Sequence, residues 1–290
     1  MSIETKTITL KAGRTLAYTE HGDLSGYPVF FMHGNPGSRL MRHPDESIAE
    51  SVGVRIIASD RPGYGLSDFQ PKRKLLDFPD DIAQLADSLG IKEFSVFGVS
   101  AGGPCAAVTA YKLGDRVKSA AIVSGAAPAN REGAFDEMND AARSTFKLIA
   151  RAPEWLVRYL TSRQITLTLA DPDKLVGIST GRRSAADVEL LGDPAIRAQV
   201  AGWLPEAARQ GAKGFARETK ILVSPWGFRL EDIRPKVHLW YWEDDTVVPI
   251  QMGKYLAEHI PNAVTHFFPG GGHLSAFVYW REILEGLLAG

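Results

Sequence analysis

The chain holds a single cysteine, Cys105, among 290 residues. One thiol cannot close an internal disulfide, so a disulfide-stapled scaffold is excluded and a reducing compartment is the simpler expectation. No apolar run approaches the length of about 18 residues that a membrane-spanning helix needs. The opening segment MSIETKTITLKAG alternates polar and apolar residues and has no basic stretch leading into a continuous apolar one, so it does not read as a signal peptide. A cytoplasmic protein with no membrane partner is expected. Charge of either sign is also not in excess: the formal net charge is −1 from 33 Lys and Arg against 34 Asp and Glu. That balance offers no electrostatic reason to bind nucleic acid. Internal repeats, low-complexity tracts and a Pro/Gly-rich linker are absent as well.

What is present is a composition that is 44% hydrophobic and 23% charged. A chain of this length can bury roughly 75% of its unfolded surface and needs no staple. Strand-like runs alternate with helix-like ones. KTITLKAG and TLAYTEHGD read as a hairpin, and PVFFMHG, VRIIASD, FSVFGVS, VKSAAIVSG, VHLWYWE and AVTHFFPG are apolar strands ending in turn or polar residues. Between them lie helical patterns such as Asp77 to Leu89, with Ile82, Leu85, Ala86 and Leu89 on one face. Continuous apolar strands separated by helices predict a mostly parallel, eight-stranded α/β sheet covered on both faces.

One segment breaks the alternation. From residue 126 to 220 only amphipathic helices are expected, among them PEWLVRYLTSRQITLTLA and VAGWLPEAARQGAKGFARET. Helices inserted between two sheet strands must pack somewhere, and the available place is the carboxyl edge of the sheet, where open α/β sheets bind ligands. The expected division is therefore a core of 1–125 and 221–290 with a helical cap of 126–220. Trp155, Leu156, Tyr159 and Leu160 are expected to serve the cap's own packing rather than to touch a ligand.

The stretch FGVSAGGPC, residues 97–105, crowds three glycines and a proline around Ser100 directly after an apolar strand. A nucleophilic serine must be lifted out of the sheet on a tight strand-to-helix turn that leaves no room for neighbouring side chains. Gly98 and Gly102, two residues before and two after, supply that room. The helix that follows brings backbone N–H groups and its positive dipole end close to the hydroxyl. Cys105, at the start of this helix, reads as a small buried residue rather than a reactive thiol.

A serine nucleophile needs a general base and a carboxylate to orient that base. Of seven histidines, His273 stands in PGGGHLSAF after the last strand, where glycines let an imidazole swing over the sheet edge. His238 lies inside a strand and reads as packing; His21, His43, His259 and His266 have no comparable setting, and His33 belongs to another motif. The acid should lie between serine and histidine in the chain. YWEDDTVVP ends a strand there and offers Glu243, Asp244 and Asp245, whereas the strand ending AIVSG has no carboxylate at its tip.

With these residues in place the chain resembles the α/β-hydrolase fold family over nearly its whole length. HGNPGS (33–38), DRPGYGLSD (60–68), GVSAGG (98–103), DDTVVP (244–249) and GGGH (270–273) follow in the family's order and at similar spacings. The resemblance implies that Ser100 is the nucleophile, His273 the base and Asp245 the acid, the family's aspartate standing four residues before the proline that is here Pro249. It also implies an oxyanion hole made by the backbone amides of Asn35 and Ala101, and a structural role for DRPGYGLSD. Fold alone does not fix the reaction. A serine at the turn argues against the dehalogenases and epoxide hydrolases of the family, which carry aspartate there. Hydrolysis of a small or medium carboxylic ester, with no metal or organic cofactor, is the expected activity. A proline iminopeptidase-like aminopeptidase or a lactonase is the next reading; carbon–carbon bond hydrolysis and perhydrolysis can use the same triad. A small-molecule receptor on this fold is the non-enzyme rival, although nothing in the sequence marks a partner surface.

Overall fold

Every residue of β5, Phe94–Val99, is buried, with Phe94 and Val96 in one apolar cluster and Phe97 and Val99 in another on the opposite side. A strand apolar on both faces is stable only inside a sheet with helices on each side. The computed structural model, which describes residues 3–131, 134, 140–171 and 184–290, shows that sheet. Its other strands are β1 Lys6–Thr9, β2 Thr15–Gly22, β3 Tyr27–Met32, β4 Val54–Ser59, β6 Val117–Val123, β7 Lys236–Trp242 and β8 Ala263–Phe268, in the order β1-β2-β4-β3-β5-β6-β7-β8. The β1–β2 hairpin and the β2–β4 pair are antiparallel, and every later pairing is parallel. The parallel strands therefore present their carboxyl ends along one edge.

Helices α2 Phe78–Ser88, α3 Gly102–Lys112 and α9 Ile250–His259 pack on one face, while α1 Ser47–Ser51 and α10 Trp280–Leu288 pack on the other. In α2 the residues Ile82, Leu85 and Ala86 are buried, as their i, i+3, i+4 spacing requires of one helical face. Burying Ile82 and Leu85 contributes about 1.5–3 kcal/mol each relative to leaving them in water.

Between β6 and β7 the described residues contain no strand. They form α4 Asp140–Arg151, α5 Glu154–Ala170, α6 Ala185–Gly192, α7 Pro194–Ala207 and α8 Lys213–Leu222. Helices α4 and α5 pack on α8, and α6 packs on α7 and on the turn Ser275–Phe277. Buried ion pairs tie this insert to the core: Arg39 bridges Glu206 of α7 and Asp60 after β4, each at 2.6 Å.

Two expectations are corrected here. The segment VAGWLPEAARQGAKGFARET is not one helix; the chain turns at 208–212, where Gly211 takes φ +72°, and divides it into the end of α7 and the start of α8. The row of Trp155, Leu156, Tyr159 and Leu160 is not the packing face of the insert. Trp155 is 71% exposed and Tyr159 56%, whereas Val157, Thr161 and Thr168 of the same helix are buried, and only Leu156 joins the small core made with Ile149, Ala152 and Ala216. Because polar residues such as Arg158, Arg163 and Gln164 and apolar ones are spread round α5 with little bias to one face, its sequence period could not say which side would meet the protein.

Candidate active site

Ser100 sits at the tip of β5 with φ +55°, a left-handed conformation that a non-glycine residue adopts only under constraint. The constraint is close backbone packing. A Cβ on Gly98 would collide with the carbonyl of Gly102, and one on Gly102 with the carbonyl of Met32. The Ser100 amide donates to Val123 O at 2.9 Å and its carbonyl accepts from Gly103 N at 2.9 Å, so the strained residue is pinned from β6 and from the first turn of α3.

The structure brings the three sequence candidates into one hydrogen-bonded chain. His273 Nε2 lies 3.0 Å from Ser100 Oγ, and His273 Nδ1 lies 2.9 Å from Asp245 Oδ2. A carboxylate can only accept, so the proton belongs on Nδ1 and the Nε2 lone pair faces the serine hydroxyl. Asp245 is held in turn: its Oδ1 accepts from the amides of Val247 at 2.8 Å and Val248 at 2.9 Å, which leaves Oδ2 for the imidazole. Glu243 and Asp244 remain exposed, because the chain turns immediately after β7 and carries only the third carboxylate inward. Burial pushes the His273 imidazole down, but the Asp245 charge and hydrogen bond, helped by Asp187, outweigh it and raise its pKa above the ordinary value. The ring is thereby a stronger base than a free imidazole.

Ser100 opens on a cavity of about 170 Å³ between the sheet edge and the insert. Asn35 and Ala101 line it together with Ser100, and from α5 Thr161, Gln164, Ile165 and Thr168 recur at one helical face. No Asp, Glu, Lys or Arg is among its described lining residues. The hydroxyls of Thr161 and Thr168 donate back to the backbone carbonyls of Val157 and Gln164 at 2.8 Å and 3.0 Å, which leaves a largely apolar wall.

The loop carrying Asn35 is gripped by residues that sequence reasoning treated as scaffold or did not notice. Arg61 donates to the carbonyls of His33 and Gly34, the latter at 3.0 Å, and the same Gly34 oxygen lies 2.8 Å from His33 Nδ1. His33 is neutral: burial and the nearby Arg61 hold its pKa well below the usual value, and its Nε2 accepts from Arg61 N at 3.2 Å. The Asn35 side chain accepts from Tyr64 Oη at 3.0 Å and donates to Thr219 of α8 at 3.3 Å. Beneath them Glu218 of α8, fully buried, pairs with Arg61 at 3.4 Å and with Arg73. The DRPGYG segment signalled tight turns, but nothing in the sequence connected Arg61 to a glutamate far along the chain. Cys105 is buried 4.0 Å from Glu218 Oε1, and burial first, with that carboxylate, pushes its thiol up to about 12. It is an inert packing residue.

Four of the other histidines are engaged elsewhere. His238 meets His266 at 3.1 Å, His43 bonds the Phe277 carbonyl at 3.0 Å, and His259 bonds that of Tyr255 at 2.8 Å. Among the described residues no three His, Cys, Asp or Glu side chains gather in a metal-holding group, and no helix is long and apolar enough to cross a membrane.

A family model for the alpha/beta hydrolase fold matches residues 27–278, which takes in Ser100, Asp245 and His273. The chain belongs to the alpha/beta hydrolase fold family. Among curated relatives of this chain, a non-heme chloroperoxidase of Streptomyces lividans is 33% identical over 124 residues, 42% of this chain and 45% of that one. The match spans less than half of that relative's length. A 2-hydroxymuconate semialdehyde hydrolase of Pseudomonas putida is 23% identical over 283 residues, covering 93% of this chain and 89% of the relative. In three dimensions an alpha/beta hydrolase fold protein of Nakamurella multipartita superposes with a TM-score of 0.73 at 20% identity, covering 98% of this chain and 99% of the other.

Proposed function

We propose that this alpha/beta hydrolase cleaves uncharged carboxylic esters through an acyl-enzyme intermediate, the segment 126–220 acting as the cap over its site. The observation that carries this reading is the continuous chain Ser100–His273–Asp245 with its hydroxyl end at a cavity whose described lining has no charged side chain. His273 Nε2 takes the Ser100 proton as Oγ attacks the ester carbonyl, and Asp245 stabilises the imidazolium that forms. The tetrahedral oxyanion is bound by the amides of Asn35 and Ala101, both at the cavity wall. Collapse expels the alcohol, which leaves with the proton from His273. Water then attacks the acyl-serine with His273 again as base, releasing the acid and restoring Ser100.

The Asn35 donor is pre-set. The Gly34 carbonyl belongs to the same peptide unit as the Asn35 N–H, and a guanidinium and an imidazole N–H both bond that oxygen. Donors on the carbonyl side polarise the unit and strengthen its N–H as a donor, and they also hold its orientation before charge develops. The described wall offers no carboxylate to hold the substrate ammonium that an aminopeptidase needs, which supports the ester reading; the side chains of Glu137 and Asp140 in the insert lie outside the described ones.

The test is a fluorophosphonate probe followed by a substrate panel: 4-nitrophenyl esters, a lactone, an amino-acyl anilide and a vinylogous diketone. The expected result is mass added at Ser100 alone, none in Ser100→Ala, and multiple turnovers on the esters. Labelling that survives in Ser100→Ala overturns the nucleophile. Turnover confined to the diketone, the chemistry class of a carbon–carbon hydrolase, overturns the ester assignment. Binding with one slow turnover at most would mark a receptor.

A further inference from the structure

Asp187 is a fully buried carboxylate on the first turn of α6, in the helical insert, and no step of the proposed hydrolysis is assigned to it. Its local sequence is Ser-Ala-Ala-Asp. Ser184 caps the helix by accepting from Asp187 N at 3.0 Å, and in a capping box the acidic side chain three residues on would reach back to the cap's own amide. Here it turns away. Asp187 Oδ1 accepts instead from the backbone N–H of Leu274 at 2.8 Å, the residue directly after His273, and 87 residues further along the chain. Asp187 Oδ2 is buried with no hydrogen-bond partner among the described residues. An unpartnered carboxylate oxygen inside a protein is costly and calls for an explanation.

The histidine loop is shaped to receive it. A Cβ on Gly272 would collide with the Ser184 hydroxyl and with the Asp187 carboxylate, so only glycine lets the insert press against the residue before His273. Gly272 N in turn donates to Ser275 Oγ at 2.8 Å, and Ser275 N donates to Gly272 O at 3.2 Å, closing the loop on the far side of the imidazole. The loop is therefore clamped within itself and, through one charged side chain, from the insert.

We infer that Asp187 is a positioning residue of the insert: by gripping the Leu274 amide it fixes the His273 loop, and its buried negative charge, a second one beside Asp245, stabilises the protonated imidazole. The charged groups acting on the His273 ring are Asp245 from the turn after β7 and Asp187 from α6, and no cation is among the described ones. A consequence is that the docking of α6 on the turn Ser275–Phe277 and the basicity of His273 are one event. An insert that lifts away takes the second carboxylate with it and leaves a weaker base and a looser ring. The inference rests on the proposed use of His273 as base, but its first test does not.

The experiment compares Asp187→Asn, Asp187→Ala and Ser184→Ala with the parent chain. Histidine carbon-13 NMR, with the His273 signal assigned by its loss in His273→Gln, reads the ring's titration without any turnover. Asp187→Asn keeps an oxygen for the Leu274 amide and removes only the charge, so the His273 titration should move to lower pH by roughly 0.5 to 1. The pH dependence of fluorophosphonate labelling should move with it, with the plateau rate at high pH nearly unchanged. Asp187→Ala also frees the loop, so its plateau should fall by about tenfold or more, and the asparagine variant should restore it. Ser184→Ala removes the helix cap and should lower the unfolding midpoint while leaving the His273 titration in place. An unmoved titration in Asp187→Asn overturns the inference, as does an undiminished plateau in Asp187→Ala. If the parent chain does not label at Ser100, the ester reading fails while the NMR titration still decides the role of Asp187. Should both Asp187 variants prove unfolded, the titration is read in Asp187→Glu, where a displaced but retained charge must leave His273 close to its parent value; a fall as large as the one expected for asparagine overturns the inference.

Discussion

Asp245 and His273, 28 residues apart in sequence, meet with Oδ2 2.9 Å from Nδ1, while Asp244 beside it stays exposed. Two adjacent carboxylates thus have unequal access to one imidazole. Asp245→Asn offers the ring an amide in place of an acceptor-only oxygen and disfavours the tautomer that leaves Nε2 free. Turnover should fall by up to about 10⁴-fold, against about tenfold or less for Asp244→Asn. Kinetics on variants shown by circular dichroism to be folded make the comparison. A crippled Asp244→Asn beside a near-normal Asp245→Asn would contradict the geometry.

Glu218 is the counter-ion of two fully buried guanidiniums, Arg61 and Arg73. Burial pushes its carboxyl up, but the two cations outweigh that and hold it below the ordinary carboxylate range. Glu218→Gln keeps the shape and removes the charge, leaving two buried cations uncompensated. Denaturant unfolding should show a loss of about 3–5 kcal/mol. A loss under about 1 kcal/mol would mean that water reaches this cluster.

The cavity wall is mostly apolar, so the rate on 4-nitrophenyl esters should rise from acetate through longer acyl chains until the space is full. Each added methylene that is buried contributes about 0.8 kcal/mol, or roughly fourfold in kcat/KM. The decisive measurement is kcat/KM across the series. A steady fall from acetate onward would place the acyl group outside this cavity. An amino-acyl anilide should be hydrolysed poorly throughout.

His21 on β2 is buried with neither ring nitrogen partnered among the described residues. Burial, with Arg42 adding to it, lowers its pKa to about 4 from 6.5. The unfolded chain therefore binds a proton between those values that the folded chain refuses, so stability falls as pH drops through this window. For one such group the loss between pH 7 and pH 5 is about 2 kcal/mol. His21→Leu should remove that portion of the acid sensitivity, measured as the difference in unfolding free energy between the two pH values. His238, also lowered to about 4 by burial, its neighbour His266 and Lys236, should leave a further acid-sensitive contribution in the variant.

How much of this could be read beforehand differs from element to element. The turn at Ser100 was legible because its requirement is local: a strained residue between a strand and a helix needs glycine two positions to each side, where backbone atoms approach closely. The eight strands were legible because apolar runs and periodicity are properties of short windows. His273 was legible from its glycine loop, and the acid to within three neighbouring carboxylates, narrowed to Asp245 only by resemblance to the family.

The sequence by itself thus determined the order of the strands, the serine turn and a short set of partners, since each depends on residues within a few positions of one another. Tertiary structure alone decided the rest. It chose which carboxylate turns inward after β7 and which side of α5 meets the cavity. It also brought Glu218 to Arg73 across 145 positions and Asp187 to Leu274 across 87. Such contacts leave no mark on local periodicity or turn chemistry, because the partner of a buried charge is set by how the insert docks on the sheet edge, and docking is a property of the packed whole.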